Sequence, residues 1–206
     1  MSDTFHFVFL RHAESVGNAE GRFQGWVDYP LSSRGFEQVQ ELAQKWLMEK
    51  REFDLCISSP LLRARQTAEV LAEALHLRIE LDPDWRELHN GRHAGLSQDE
   101  LGAQGGLPMI LTPYTHYGET GESRWELFLR TGRALQRLLD RLPGRYLVVA
   151  HGGSLNMALY AILNIPLQFQ RSGPRFYFGN LGFAELEYDP SRHRWEFKNF
   201  NPGYLE

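Results

Sequence analysis

The sequence predicts a single α/β domain, a three-layer α/β/α sandwich with a mostly parallel central sheet. Strand and helix signals alternate along most of the 206 residues, and repeated β-α alternation lays helices on both faces of a parallel sheet. Two of the strands, Phe5–Leu10 and Arg145–Ala150, are rich in aromatic and branched apolar residues, as strands buried on both faces are.

The first of these runs breaks abruptly into Arg11-His12, with Glu14, Ser15 and Asn18 close behind. His6 alternates with core aromatics and belongs to the strand. Gly17, Gly21, Gly25 and Pro30 then mark a loop of about a dozen residues, and a loop that long without its own structure is usually functional. Ser32 suits the cap of a helix from about Ser33 to Lys50, in which Phe36, Val39, Leu42, Ala43, Trp46 and Leu47 form an apolar stripe. Asp54–Ile57 is a short strand. Ser58-Ser59-Pro60 opens the next helix with proline in its first turn, where it is tolerated, and Ala64, Ala68, Leu71 and Leu75 follow at helical spacing. Ile79–Leu81 is a candidate third strand.

From Pro83 to Gly121 the pattern loosens, with Gly91, Gly95, Gly102, Gly105, Gly106, Pro108 and Pro113. Helix resumes near Glu122, with Trp125, Phe128, Leu129, Gly132, Leu135 and Leu139 assigned to one face; Trp46 and Trp125 are both read as core. The run Arg145–Ala150 also breaks into chemistry, as His151-Gly152-Gly153. A helix then reaches about Asn164 and is ended by Pro166. Phe183–Tyr188 and Trp195–Phe200 read as a hairpin around Asp189-Pro190-Ser191.

The length suits one domain spanning 1–206, ample to bury a core. A net charge of −4 gives no electrostatic footprint for nucleic acid or an anionic membrane. No apolar run approaches the roughly 20 residues of a membrane span. Met1-Ser2-Asp3-Thr4 has neither a basic region nor a signal-peptide pattern. A lone cysteine, Cys56, excludes an internal disulfide. The expected setting is cytoplasmic.

Polar residues just past the carboxyl end of a buried strand lie where open α/β sheets place their ligands. Arg11-His12 follows one strand, Arg63 lies soon after another, and His151-Gly152-Gly153 follows a third. If those strands are neighbours, two Arg and two His converge. Gly152 and Gly153 then offer backbone N–H groups at a helix N-terminus, which makes a trap for a tetrahedral dianion. Glu14 and Glu87 are the nearby carboxylates. One of them must donate a proton if a phosphoryl group is transferred, because a departing alkoxide needs one. Charge on a phosphoryl group in transit spreads over three oxygens, so positioning and positive charge carry most of the catalysis. Histidine attacks only as the neutral ring, so a hydrogen bond must fix its tautomer; no partner for this is visible in the sequence. The scheme needs no metal and no cofactor.

Competing readings are weaker. Cys56 and Arg63 are separated by six residues rather than the five of a cysteine-phosphatase loop, and the glycines are missing, so Cys56 reads as a small core residue. His89 and His93 are four apart, a metal-binding spacing on a helix, but Gly91 lies between them and no carboxylate motif follows. No G-x-G-x-x-G follows the first strand, which argues against a Rossmann nucleotide binder. Tyr114, His116 and Tyr117 either line a pocket or cover a loop.

The segment Arg11-His12-Ala13-Glu14-Ser15, with Asn18 three further on, resembles the signature of the histidine phosphatase superfamily, the phosphoglycerate mutase-like proteins. The similarity continues in Gly25-Trp26-Val27-Asp28-Tyr29-Pro30-Leu31-Ser32 and in Ser58-Ser59-Pro60-Leu61-Leu62-Arg63-Ala64-Arg65-Gln66-Thr67-Ala68. It recurs in Arg86-Glu87 with Gly91, in Gly95-Leu96-Ser97, in Gly121-Glu122-Ser123 and in Val148-Val149-Ala150-His151-Gly152. The resemblance implies the phosphoglycerate mutase-like fold. It implies His12 as the nucleophile that becomes a phosphohistidine, and Arg11, Arg63 and His151 as the phosphate clamp, with Asn18 and Ser15 adding hydrogen bonds. Gly152 joins them as a backbone donor, and Glu87 would protonate the leaving oxygen and then activate water. Ala13 stands where the family more often has glycine, a change that costs little unless φ there is positive.

The expectation is therefore a phosphomonoester hydrolase acting on a small phosphorylated metabolite. A non-catalytic phosphate-binding module is disfavoured because His12 and Glu87 are both present. The loop from Gly21 to Pro30 and a variable segment at about 88–124 would set the substrate; neither the substrate nor the oligomeric state is legible. The alternative is a phosphoglycerate mutase, which must shield its phosphohistidine beneath a lid. Leu101–Ser123 contains no Lys or Arg to hold a substrate carboxylate, and little chain follows the last strand, ending Gly203-Tyr204-Leu205-Glu206. Water is thus the expected acceptor.

Overall fold

The computed structural model describes residues 4–107, 110–169 and 172–204. Met1–Asp3, Pro108 and Leu205–Glu206, all invoked above, lie outside the described residues. Six strands, β1 (Phe5–Arg11), β2 (Leu55–Ser58), β3 (Ile79–Leu81), β4 (Arg145–Ala150), β5 (Phe183–Asp189) and β6 (Arg194–Asn201), form one sheet ordered β3-β2-β4-β1-β5-β6. The first four in that order run parallel, and the β5–β6 hairpin adds antiparallel to β1. The helices are α1 (Val16–Ala19), α2 (Ser33–Met48), α3 (Leu62–Leu75), α4 (Gln98–Ala103), α5 (Arg124–Leu139) and α6 (Gly152–Ile162).

Strand side chains alternate between the faces, and the two cores follow that alternation. Phe5, Phe7, Phe9, Ile57 and Val148 pack against Leu135 and Leu138 of α5 and Leu155 and Leu159 of α6. Val8, Leu10, Cys56, Leu147 and Val149 face Val39 and Trp46 of α2 and Ala64, Ala68 and Leu71 of α3. This is the expected three-layer arrangement.

Several elements depart from the sequence reading. The glycine-marked loop is not structureless: Ser15 caps the single turn of α1. Pro60 precedes helix α3 rather than opening it, because the Ser59 N–H donates to Val149 O and keeps the chain extended. Asp28 Oδ1 accepts from Leu62 N–H, a capping bond supplied from a distant loop. Within the loosened stretch, Ser97 and Glu100 form a capping box that starts α4. The buried face of α5 is Leu127, Arg130, Thr131, Ala134, Leu135 and Leu138. Trp125 is 39% exposed and Leu129 45%, so neither is core; Trp125 stacks outside on Phe128 and meets the Tyr114 ring at a tilt. Arg130 is turned inward instead. No helix among the described residues is long and apolar enough to cross a membrane.

Candidate active site

Because β4 lies between β1 and β2, and Arg11 pairs with Ala150 while Ser58 pairs with Val149, their carboxyl ends are level. The ladder continues one residue further: His12 N–H donates to Ala150 O at 3.0 Å. His12, Ser59 and His151 therefore stand side by side, with the imidazole centroids 5.1 Å apart. Arg63, in the first turn of α3, donates from Nε to His12 Nε2 at 3.3 Å. Its Nη1 and Nη2 hold the carbonyls of Val27 and Gly25 at 3.0 and 2.8 Å, fastening the glycine-marked loop over the site.

The tautomer partner absent from the sequence reading is the backbone. His12 Nδ1 lies 2.7 Å from the Ala13 carbonyl oxygen, which can only accept, so Nδ1 carries the proton and Nε2 keeps its lone pair. The Arg63 bond to Nε2 requires the same tautomer. Burial holds the His12 imidazole well below its ordinary value, and Arg63 and Arg11 push it the same way. Burial, then Arg63, His12 and Arg11, do likewise for His151. Both rings are neutral at pH 7. Burial pushes the Arg63 guanidinium down to about 10, opposed by Glu87 and Asp28 and assisted by Arg11, so it stays charged. His151 Nε2 is 2.8 Å from Ser59 Oγ, while its Nδ1 is buried with no hydrogen-bond partner among the described residues.

A cavity of about 440 Å³ opens above this set. Arg11, Asn18, Glu87, Gly152 and Gly153 line one end of it; His12, Arg63 and His151 lie buried behind them, and His12 is 3% exposed. Glu87 stands at the N-terminus of α6, where Oε2 accepts from Gly153 N–H at 3.0 Å and Oε1 from Leu88 N–H at 2.7 Å. Only glycine at position 153 admits that approach: a Cβ there would lie 2.1 Å from Glu87 Oε1. Helix dipole and N–H donors at this spot favour negative charge, whether of Glu87 or of an arriving anion.

Of the expected site residues, His12, Arg11, Arg63, His151, Glu87, Asn18 and Gly152 are brought together. Ser15 is placed differently. It is fully buried, its hydroxyl accepts from Asn18 N–H at 3.1 Å and donates toward Gln24 Oε1 or Asn18 Oδ1, and it does not line the cavity. Its part is to hold Asn18. The two candidate carboxylates are also separated: Glu14 accepts from Ser32 Oγ and pairs with Arg34, away from the cavity. Ala13 keeps a negative φ, so the glycine-to-alanine departure costs no strain. Cys56 is buried and its thiol is pushed up to about 12. His93 ends a 3₁₀ turn and His89 packs edge-on against Trp26, so they share no helical face. Among the described residues no group of His, Cys, Asp or Glu is arranged to hold a metal ion. Tyr117 lines the cavity, whereas Tyr114 is exposed.

Sequence reasoning missed three supports. Ser59, which holds His151, lay inside the quoted Ser58–Ala68 block. So did Thr67, whose Oγ1 accepts from Ala13 N–H at 3.1 Å. Asn180 Nδ2 donates to His12 O at 3.2 Å from a loop with no signal. Three further arginines of the cavity were missed too. Leu101–Ser123 indeed has no Lys or Arg, but Arg22, Arg124 and Arg175 line the cavity from three other segments, so that absence does not leave the cavity without further basic side chains.

The chain matches the model of the histidine phosphatase superfamily (branch 1) over residues 7–201 and belongs to that family. It is 34% identical over 189 residues to a protein of Enterobacter sp. (strain 638) named "Probable phosphoglycerate mutase GpmB", covering 88% of this chain and 84% of that one. Among solved structures, the mycobacterial glucosyl-3-phosphoglycerate phosphatase complexed with VO3 matches with a TM-score of 0.78 at 27% identity, covering 96% of this chain and 98% of that one. The alpha-ribazole phosphatase of Shigella flexneri shares the fold with a TM-score of 0.79 at 21% identity, over 96% of each chain.

Proposed function

We propose that this member of the histidine phosphatase superfamily hydrolyses the phosphomonoester of a small metabolite through a phosphohistidine at His12. One observation carries the reading: a neutral imidazole with its lone pair on Nε2, fixed by the Ala13 carbonyl and met at that nitrogen by Arg63. In the first step Nε2 attacks phosphorus, the P–O ester bond breaks, and Glu87 gives its proton to the leaving oxygen. Arg11, Arg63, Asn18 and the Gly152 N–H bind the phosphoryl oxygens. A hydroxyl proton donated by Ser59 to His151 Nε2 places the ring proton on Nδ1, making His151 a further donor. In the second step Glu87 takes a proton from water, which attacks phosphorus, releases inorganic phosphate and restores His12. Such positioned charge is what phosphoryl transfer requires.

The organic part of the substrate would lie against Leu88, Asn90, Tyr117 and Arg124 of the 88–124 segment. The test is acid-quench trapping of labelled phosphate on the wild type, together with His12→Ala. Turnover should vanish while the fold survives, and near-normal turnover by the variant would refute the mechanism. A second reading, phosphoglycerate mutase, is supported by the 34%-identical relative of that name and by Arg124 and Arg175 in the cavity. Feeding 3-phosphoglycerate with its bisphosphate primer separates the two: phosphate release should exceed isomerisation, and the reverse ratio would establish the mutase.

A further inference from the structure

The motif Gly121-Glu122-Ser123 has no part in the chemistry above, and the inward turn of Arg130 is unexplained by packing. The two belong together. Arg130 is 7% exposed and spends all five of its N–H groups on the protein. Nε and Nη2 clasp Glu122 Oε1 and Oε2 at 2.8 and 2.7 Å. The remaining three hydrogens go to main-chain carbonyls of one short segment: Nη1 to Asp84 O at 2.7 Å and Arg86 O at 2.8 Å, and Nη2 to Glu87 O at 2.8 Å. Glu122 closes the ring from the other side, because its Oε2 also accepts from His89 N–H at 2.9 Å and its own N–H donates to His89 O. The segment 84–89, irregular apart from one 3₁₀ turn, is thereby pinned to α5 immediately before and after Glu87.

We infer that Arg130, locked by Glu122, is a positioning residue that sets the Glu87 carboxyl against the leaving group. The inference rests on the reading of Glu87 as proton donor. The planar guanidinium fixes three carbonyls of the backbone that carries the carboxyl, those of Asp84 and Arg86 at the end of the 3₁₀ turn and that of Glu87 itself, and the Glu87 side chain reaches the α6 N-terminus from that anchored backbone. General acid catalysis is sensitive to such placement, since the donor must lie within hydrogen-bond reach of the departing oxygen.

The experiment exploits leaving groups. An alkyl phosphate needs a proton on its leaving oxygen, whereas 2,4-dinitrophenyl phosphate does not. Three variants are compared with the wild type on both substrates: Glu87→Gln, Glu122→Gln, and the paired Arg130→Met/Glu122→Met, which removes the buried ion pair without stranding one charge. Because Glu87 also activates water in the second step, the readout is the first step alone, single-turnover phosphorylation of His12: Glu87→Gln should slow it with the alkyl ester by about 100-fold or more and leave the burst of dinitrophenolate within about 3-fold. The clamp variants should reproduce that selectivity at about 10-fold or more, with a retained dinitrophenolate burst reporting an intact site. If Glu87→Gln shows no selectivity, the proton-donor reading falls. If it does, and the clamp variants slow the first step with both esters equally or with neither, or lose the dinitrophenolate burst by unfolding in both forms, the positioning role of Arg130 is overturned.

Discussion

Glycine 153 offers a sharp test of the site, because replacing it moves the acid and leaves the fold alone. An added methyl would start 2.1 Å from Glu87 Oε1, so the oxygen must withdraw by about 1.3 Å to reach ordinary contact. It lies at the far end of a flexible side chain beside an open cavity, and that movement is cheap. The carboxylate gives up its bond from the Gly153 N–H, a charge-assisted contact of about 1.5–3 kcal/mol that water in the cavity largely replaces. Alanine in place of glycine within α6 returns about 0.5–1 kcal/mol, since position 153 has no positive φ. Thermal stability should therefore change little. Turnover should not be spared: a displacement near 1 Å at a catalytic group costs about 100-fold. Gly153→Ala is assayed on an alkyl phosphate, with melting temperatures measured alongside. Gly132→Ala on α5, whose Cβ would meet nothing within 4 Å, controls for the helix effect. Turnover within about 3-fold of wild type at an unchanged melting temperature would refute the placement of Glu87 as the acid.

Other outcomes follow from the same geometry. His12 and His151 are held neutral by burial and by Arg63, so their folded pKa values lie below the unfolded value of about 6.5. Stability is unaffected above that pH. It is lost as pH falls below it, because the unfolded chain then binds protons that the native rings refuse, at up to about 1.4 kcal/mol per pH unit for each ring. Thermal melts between pH 7.5 and 5 should show the slope, and saturating phosphate should flatten it by offsetting the charge of Arg63 and Arg11. Arg63→Lys should cut kcat by about 100-fold and make the Gly21–Pro30 loop more sensitive to proteolysis, since a lysine cannot reach His12 and the carbonyls of Gly25 and Val27 at once. Exhaustive chelation and Cys56→Ala should each leave the rate within about 3-fold, the thiol being sealed in the core; a collapse restored by zinc or magnesium would refute the metal-free scheme.

The sequence determined by itself whatever depends on near neighbours. The apolar runs of β1 and β4 announced strands buried on both faces, Ser32 announced the start of α2, and Arg11-His12 and His151-Gly152 announced polar chemistry at strand ends. These signals are local because periodicity and capping act within a turn or a pleat. Periodicity names a face but not what the face meets. Trp125 and Leu129 fitted an apolar stripe on α5, yet the buried side contains Arg130, whose partners Asp84, Arg86, Glu87 and Glu122 are assembled only by the fold. The strand order β2-β4-β1 likewise decided that Arg63 and His151 converge on His12, that Glu87 rather than Glu14 faces the cavity, and that Asn180 braces a carbonyl 168 residues away. Such contacts are fixed by which layers bury one another, a choice made by the whole core at once, and no single stretch of chain records it.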